Sequence, residues 1–353
     1  MNELMLLSTM RMVREPGIFE PIAIVLGKIY NMLFNGIYGS VSAGALGIAI
    51  IVFTLIVKLI LFPLMMKQQK SSFKMQQLQP EMNKIRDKYK GKTDTMSQQR
   101  MALELQDFQK KNGVHLMGGC LPMLIQLPIL YALYYIFQNA YVYVDVIGNN
   151  YTDIANAIIQ IPAALRMEAF TPYAQDLVDT YKNLGTLDLS NVNDVVMLVA
   201  NIKADDWSNI LSVLGDSGNA LLPLLDTKSN IETFLTIPLV SKCGLSFPNV
   251  IVPIVAGVTT FLQSKVMTSL MNTTANAEND QAAAMTQSMN KMMLYFMPIM
   301  MAFFCLQVPA GLGVYWTISN IFGILQQIFL QKFYKKKLAE GGVVRNGRNQ
   351  KIR

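Results

Sequence analysis

Residues 42–66, SAGALGIAIIVFTLIVKLILFPLMM, form an apolar run long enough to cross a bilayer as a helix, and Lys58 is its one ionisable side chain. An ammonium group at that depth costs a few kcal/mol on insertion scales, about 3 for a central position, which marks it as a candidate functional residue. A plainer reading stays open beside it. If residue 66 stands at the inner face, Lys58 lies about 12 Å deep, and a lysine stem can snorkel part of that way.

The rest of the chain points to the same environment. Of the 353 residues, 52% are hydrophobic and 15% charged, a balance too apolar for an ordinary soluble domain of this length. Further apolar stretches recur at 116–137, 248–270, 292–308 and 310–330, so five spans are expected. The fourth is short, and Pro309-Ala310-Gly311 reads as the tight turn that joins it to the fifth.

Charge divides unevenly among the connecting segments. Residues 67–115 carry eleven Lys/Arg against five Asp/Glu, and 332–353 carry eight against one. Residues 140–247 carry five against twelve, while 1–41 balance at three and three. Basic segments stay on the cytoplasmic side, so the amino terminus is expected outside and the carboxyl terminus inside. Loops longer than about 60 residues cross largely regardless of charge, so the two basic segments weigh more than the acidic one.

Chemistry of the covalent kind finds little support. Cys120, Cys243 and Cys305 are odd in number, which argues against a disulfide framework, and His115 has no neighbouring ligand set. No metal spacing, phosphate loop or nucleophile elbow occurs, so no catalytic residue, metal or cofactor is expected. Near the amino terminus there is no small-residue cleavage site and no cysteine that could take a lipid.

Three other segments have readable organisation. In 17–36, Glu20, Lys28, Asn31 and Asn35 share one helical face opposite Ile22, Val25, Leu26, Ile29, Leu33 and Phe34. That pattern suits a helix lying along the outer surface, with a sixth span as the alternative. In 67–115, Met75, Leu78, Met82, Ile85 and Tyr89 recur at alternating spacings of three and four, and Met101, Leu105 and Phe108 continue them. A helical hairpin is expected, with Gly91 closing the first helix and a capping box at Thr95-Met96-Ser97-Gln98 opening the second. Residues 140–247 read as short amphipathic helices, for example around 153–169 and 191–203, broken by Pro162, Pro172, Gly185, Gly215, Gly218 and Pro223.

Four passages in register carry a family likeness: IVFTLIVKLILFPLMMKQQKSSFKMQQLQPEMNKIRDKY, GGCLPMLIQLPILYALYYIF, FPNVIVPIVAGVTTFLQSK and PAGLGVYWTISNIFGILQQ. Together they resemble the YidC/Oxa/Alb family of membrane protein insertases, in the form with five core spans found in Gram-positive bacteria, over roughly 42–140 and 236–335. The resemblance implies an all-α polytopic membrane protein of the cell membrane. Its five transmembrane helices would surround a hydrophilic groove that opens to the cytoplasm and to lipid, with a cytoplasmic helical hairpin attached. The order would be an external segment 1–41, a first span 42–66, the hairpin 67–115 and a second span 116–139. An external helical segment 140–247, a third span 248–270, a loop 271–291, paired spans 292–331 and a basic tail 332–353 would follow.

By that resemblance Lys58 faces the groove where relatives usually carry arginine, a departure that keeps the charge and loses the five-donor fork. Thr54, one turn earlier on the same face, and Trp316 would touch the client helix, while Gln263 and Asn320 add polar lining. Each has a plainer alternative. Thr54 can bond its own helix backbone, Trp316 can belong to an interfacial aromatic belt, and Gln263 can be a boundary residue. The absent lipid-accepting cysteine and the long 140–247 segment are further departures.

The implied partners are nascent membrane proteins, the bilayer, the Sec translocon, and the ribosome through the tail that holds Lys335, Lys336, Lys337, Arg345, Arg348, Lys351 and Arg353. The implied working unit is a monomer. The rival reading from another class is a small-solute or ion transporter with Lys58 as counter-ion, against which the chain shows no inverted repeat and no second charge buried in a span.

Overall fold

The structure is a computed structural model that describes residues 12, 15–92, 94–113, 121–270, 288 and 291–348. His115 and Cys120 therefore lie outside the described residues. What is described is mainly helical: α1 (Glu20–Tyr38), α2 (Ala45–Lys88), α3 (Thr95–Lys111), α4 (Leu121–Gln138), α5 (Ala140–Tyr143), α6 (Asp145–Gln160) and α7 (Ala163–Thr180). Then come α8 (Val192–Asn201), α9 (Asp206–Leu214), α10 (Leu222–Glu232), α11 (Ile251–Leu270), α12 (Met297–Cys305) and α13 (Ala310–Arg348). A departure from the all-helical expectation is a small antiparallel ribbon of β1 (Thr233–Phe234) and β2 (Ile237–Pro238), paired Thr233 to Pro238 and Phe234 to Ile237.

Among the described residues, the stretches 17–38, 45–75 and 251–269 are helices long and apolar enough to cross a membrane, and 292–305 is a shorter apolar helix. The expected turn between the last two apolar stretches lies where α12 stops at Cys305 and α13 starts at Ala310. The chain divides into two compact units, one of residues 1–54, 127–256 and 302–316, the other of 55–126, 257–301 and 317–353.

In the second unit, α2 runs from the apolar stretch into the basic one as one helix, with Pro63 and Pro80 inside it. Each proline removes one backbone hydrogen bond and leaves the helix intact, so the boundary at 66/67 is compositional only. After Gly91, whose φ of +82° suits the missing Cβ, α3 opens on Asp94. The Asp94 carboxylate accepts from the Ser97 N–H at 2.8 Å, which moves the expected cap from Thr95 back by one residue. The backbone of Asp94 is extended, as a cap requires, and its carboxylate is the stronger acceptor.

Met82, Ile85 and Met101 are buried along the α2–α3 seam, and Gln109 Nε2 lies 3.9 Å from the sulfurs of both Met75 and Met82. At its tip Glu104 accepts from Lys88 at 2.6 Å and from the Tyr89 hydroxyl at 3.0 Å. Beyond its apolar half, α13 stays helical through the basic residues to Arg348. There the Tyr334 hydroxyl donates to the Met66 carbonyl at 2.9 Å and its ring stacks on Phe73 at 6.1 Å, tying α13 to α2.

In the first unit, helices α6 to α10 bury a core of Ile154, Ile158, Phe170, Val195, Val199, Trp207 and Ile210. Pro162 separates α6 from α7 as expected, but Pro172 lies inside α7, and the helix expected at 153–169 is in fact two, divided at 161–162. An ion pair lies in this core. Lys228 Nζ meets Glu232 Oε2 at 2.6 Å, both side chains nearly inaccessible, and sits 4.9 Å above the Tyr151 ring. The Tyr151 hydroxyl donates to the other Glu232 oxygen. Burial, and next the Glu232 carboxylate, hold that phenol protonated far above its ordinary range. Gly27 lets α1 approach Tyr143, and the Asn31 side chain exchanges two bonds with Asp145, one to the carboxylate at 2.7 Å and one from the backbone N–H at 3.0 Å. On α1 the opposite side is apolar and exposed at Val25 and Met32, as is Ile18 in the turn just before it.

Because Lys228 is buried with its counter-charge, Glu232→Ala strands an ammonium group and should destabilise the 140–247 domain by about 4 kcal/mol. Replacing both partners with leucine should cost much less, since no charge is left unpaired. Thermal denaturation of the purified protein, read by protease resistance of this domain, distinguishes the two. Equal losses in both variants would contradict the assignment.

Candidate functional site

On α2 the side chains of Leu55, Leu59, Ile60 and Leu64 are exposed, a spacing that places them on one side of the helix, whereas Val57 is buried. Lys58 falls on the boundary, half-buried, with its Nζ donating to Gln126 Oε1 of α4 at 3.4 Å. That is a long hydrogen bond to a neutral acceptor, weaker than one to a carboxylate. Among the described residues no carboxylate comes within ion-pair distance of Lys58. Its charge is thus compensated by one amide dipole and by whatever solvent the half-exposed side chain meets.

A second polar cluster joins α11 and α13. The Asn320 amide donates to Thr259 Oγ1 at 3.1 Å and to Thr260 Oγ1 at 2.9 Å, using both of its hydrogens on adjacent residues of one helix. All three are buried, as is Ser319 beside them. One turn along, Gln263 lies against the α13 backbone at Gly323, where a Cβ would come 2.5 Å from the Gln263 Nε2. A larger residue at 323 would displace the end of the flexible Gln263 side chain.

The remaining two expected residues belong to the first unit. Thr54 is fully buried and its hydroxyl donates to the Ile50 carbonyl at 2.6 Å, the back-bonding expected of a threonine within its own helix. Trp316 is half-buried, one turn before Asn320 on α13. Asn320, which the family resemblance makes part of a polar lining, is buried between α11 and α13. Gln126, Thr259, Thr260 and Ser319 went unremarked in the sequence, although each is a polar residue inside an apolar run, the same signal that singled out Lys58. Among the described residues no cluster of side chains suits a metal ion.

Known proteins resemble this chain along most of its length. The family profile described as 60Kd inner membrane protein matches residues 37–337. Membrane protein insertase YidC 2 of Bacillus anthracis is 30% identical over 296 residues, 84% of this chain and 76% of that protein. Membrane protein insertase YidC of Oceanobacillus iheyensis is 28% identical across 89% of this chain and 88% of its own length. Membrane protein insertase MisCA of Bacillus subtilis is 28% identical, covering 81% and 70%.

If Asn320 binds α13 to α11 through both threonines, Asn320→Leu should cost about 1 kcal/mol of stability, the scale of a hydrogen bond between helices in lipid. The Thr259→Val/Thr260→Val pair should cost as much, and combining all three changes should add little. Thermal unfolding in detergent measures the cycle, and fully additive losses would mean the bonds are not coupled.

Proposed function

This chain belongs to the 60Kd inner membrane protein family, helical multi-pass bacterial membrane proteins that act on newly made membrane proteins and are not enzymes, and we propose that it inserts and helps fold such clients through a hydrophilic groove. The groove opens to the cytoplasm and to lipid, and the protein works as a monomer, alone or beside the Sec translocon. The observation that carries this reading is Lys58, half-buried in an apolar helix and bonded to a neutral amide. Such a residue is costly unless something uses its charge.

In this reading the first parts of α2, α4, α11 and α13, with 292–305, are the five spans. Lys58, Gln126 and Gln263 are assigned to the groove lining with Asn320 in the frame behind it, and contact with the client helix is assigned to Thr54 and Trp316. The α2–α3 hairpin and the far end of α13 lie in the cytoplasm, and the 140–247 domain lies outside. α1 rests on the outer surface, fastened by the Asn31–Asp145 bonds, with its apolar side toward lipid. The basic end of α13 meets the ribosome through phosphate contacts.

Insertion then needs no covalent step. A client's polar tail must pass hydrocarbon, and water held around the groove side chains shortens that path. Lys58 attracts an acidic tail, which the membrane potential drives outward by about 2.3 kcal/mol per charge per 100 mV. The client helix leaves sideways, because lipid favours its apolar surface by about 25 cal/mol per Å².

Charge, and not shape, is what the mechanism asks of position 58. Lys58→Arg should therefore retain insertion of an acidic-tailed client, while Lys58→Ala and the length-preserving Lys58→Met should both lose most of it. The measurement is insertion into liposomes by the four proteins at equal abundance. Normal insertion by the methionine variant would leave Lys58 a snorkelling anchor, for which Lys67 and Lys70 could substitute.

A further inference from the structure

Leu235 and Thr236 join β1 to β2 with positive φ at both residues, 48° and 67°. A two-residue turn of this kind favours Asn-Gly, and a leucine in the left-handed region is strained. The same leucine is 76% exposed. Downstream, Leu245 and Phe247 are 78% and 82% exposed and stand just ahead of α11. Between Glu232 and Lys265 the one charged residue is Lys242, so the uncharged stretch begins well before the α11 helix does.

Close approaches within the first unit fix the level of these side chains. Phe234 fills a notch at Gly47, where a Cβ would collide with its ring, and the Gly44 N–H donates to the Asn230 carbonyl at 3.0 Å. The Gly311 N–H donates to the Leu239 carbonyl at 2.8 Å while Gly311 abuts Ile50, and Gly313 abuts Val252. Positions 44–50 begin the apolar run of α2, and Val252 is in the first turn of α11. Leu235 adjoins Phe234, and Phe247 stands in the compact turn that leads into α11, where the Val250 N–H donates to the Ser246 carbonyl and the Ile251 N–H to the Pro248 carbonyl, so both lie near the level where α2, α11 and α13 become apolar. Along α11 the exposed surface continues as Ile251, Ile254, Val255, Val258 and Leu262.

We propose that residues 233–247 form a lipid-binding lip, with Leu235, Leu245 and Phe247 seated among the headgroups and upper acyl chains on the membrane face that carries the 140–247 domain. The proposal rests on the reading of α2 and α11 as spans. Lipid is the occupant because this apolar surface continues into the exposed face of α11 at the depth where the bilayer interface, roughly 5–8 Å thick per leaflet, must lie. The lip gives the domain a further attachment to the bilayer, besides α1 and the chain connections through α4 and α11.

The test places a photoreactive amino acid at 235, 247, 258 or 182 in the full-length protein, in vesicles of phosphatidylglycerol and phosphatidylcholine. Lys182 is an exposed polar residue and serves as the aqueous control. After illumination, intact mass should show phospholipid adducts at 235 and 247 comparable to that at 258, and none at 182. Lipid at 258 without lipid at 235 and 247, or protein adducts at 235 in place of lipid, overturns the lip and leaves the spanning reading in place. No lipid at 258 overturns α11 as a span and the lip with it. A second variant, Leu235→Asn/Thr236→Gly, suits the turn's own preference. It should reduce thermal stability in bilayers if the lip meets lipid, and a gain in stability would contradict the proposal.

Discussion

A charged side chain in an apolar helix must keep part of its solvation, and position 58 has few ways to do so. Its one bond among the described residues is to the Gln126 carbonyl, and 3.4 Å is too long for that bond to carry the full cost of the charge. Retaining the charge requires water nearby, and water beside Lys58 requires that α2 and α4 not close over it. An ion pair at this place would have removed that requirement, at the expense of any free charge to meet a client.

Four other polar side chains in the apolar helices follow the opposite rule. Asn320, Thr259 and Thr260 satisfy one another, and Thr54 satisfies itself on its own backbone. Groups closed in this way hold helices together and cost little in lipid. In the function proposed above, Lys58 with Gln126 is the part that meets the client and the Asn320 cluster is its frame. Where α2 and α13 leave the apolar zone they are joined again by Tyr334 at Met66 and Phe73, so the hairpin and the basic end of α13 share one anchorage.

Much of this was legible in the sequence, and for physical reasons. Apolar runs and 3.6-residue periodicity located α2, α11 and the hairpin helices, because burial on a helix face leaves that pattern. The Gly91 turn was legible because positive φ selects glycine. Other features depend on partners distant in the chain. The Lys228–Glu232–Tyr151 core pairs residues up to 81 apart, and nothing local announces it. The ribbon at 233–238 turns through Leu235-Thr236, residues that signal no turn. Pro172 reads as a breaker, yet helix α7 continues through it, as prolines in α2 also allow. Asn320 was singled out as polar, but its two threonine partners, and so its structural role, needed the fold.

The central claim is that the space beside Lys58 is wet and opens to the cytoplasm. Gln126 and Leu127 are neighbours on α4, the first bonded to Lys58 and the second exposed on the apolar surface. With the native cysteines replaced, Gln126→Cys and Leu127→Cys should react very differently with a membrane-impermeant maleimide, since alkylation needs water to form the thiolate. The account predicts rapid labelling of the Gln126→Cys protein from the cytoplasmic side alone and little labelling of the Leu127→Cys protein from either side. Equal rates at the two positions, or labelling of the first from the outer side, would contradict it.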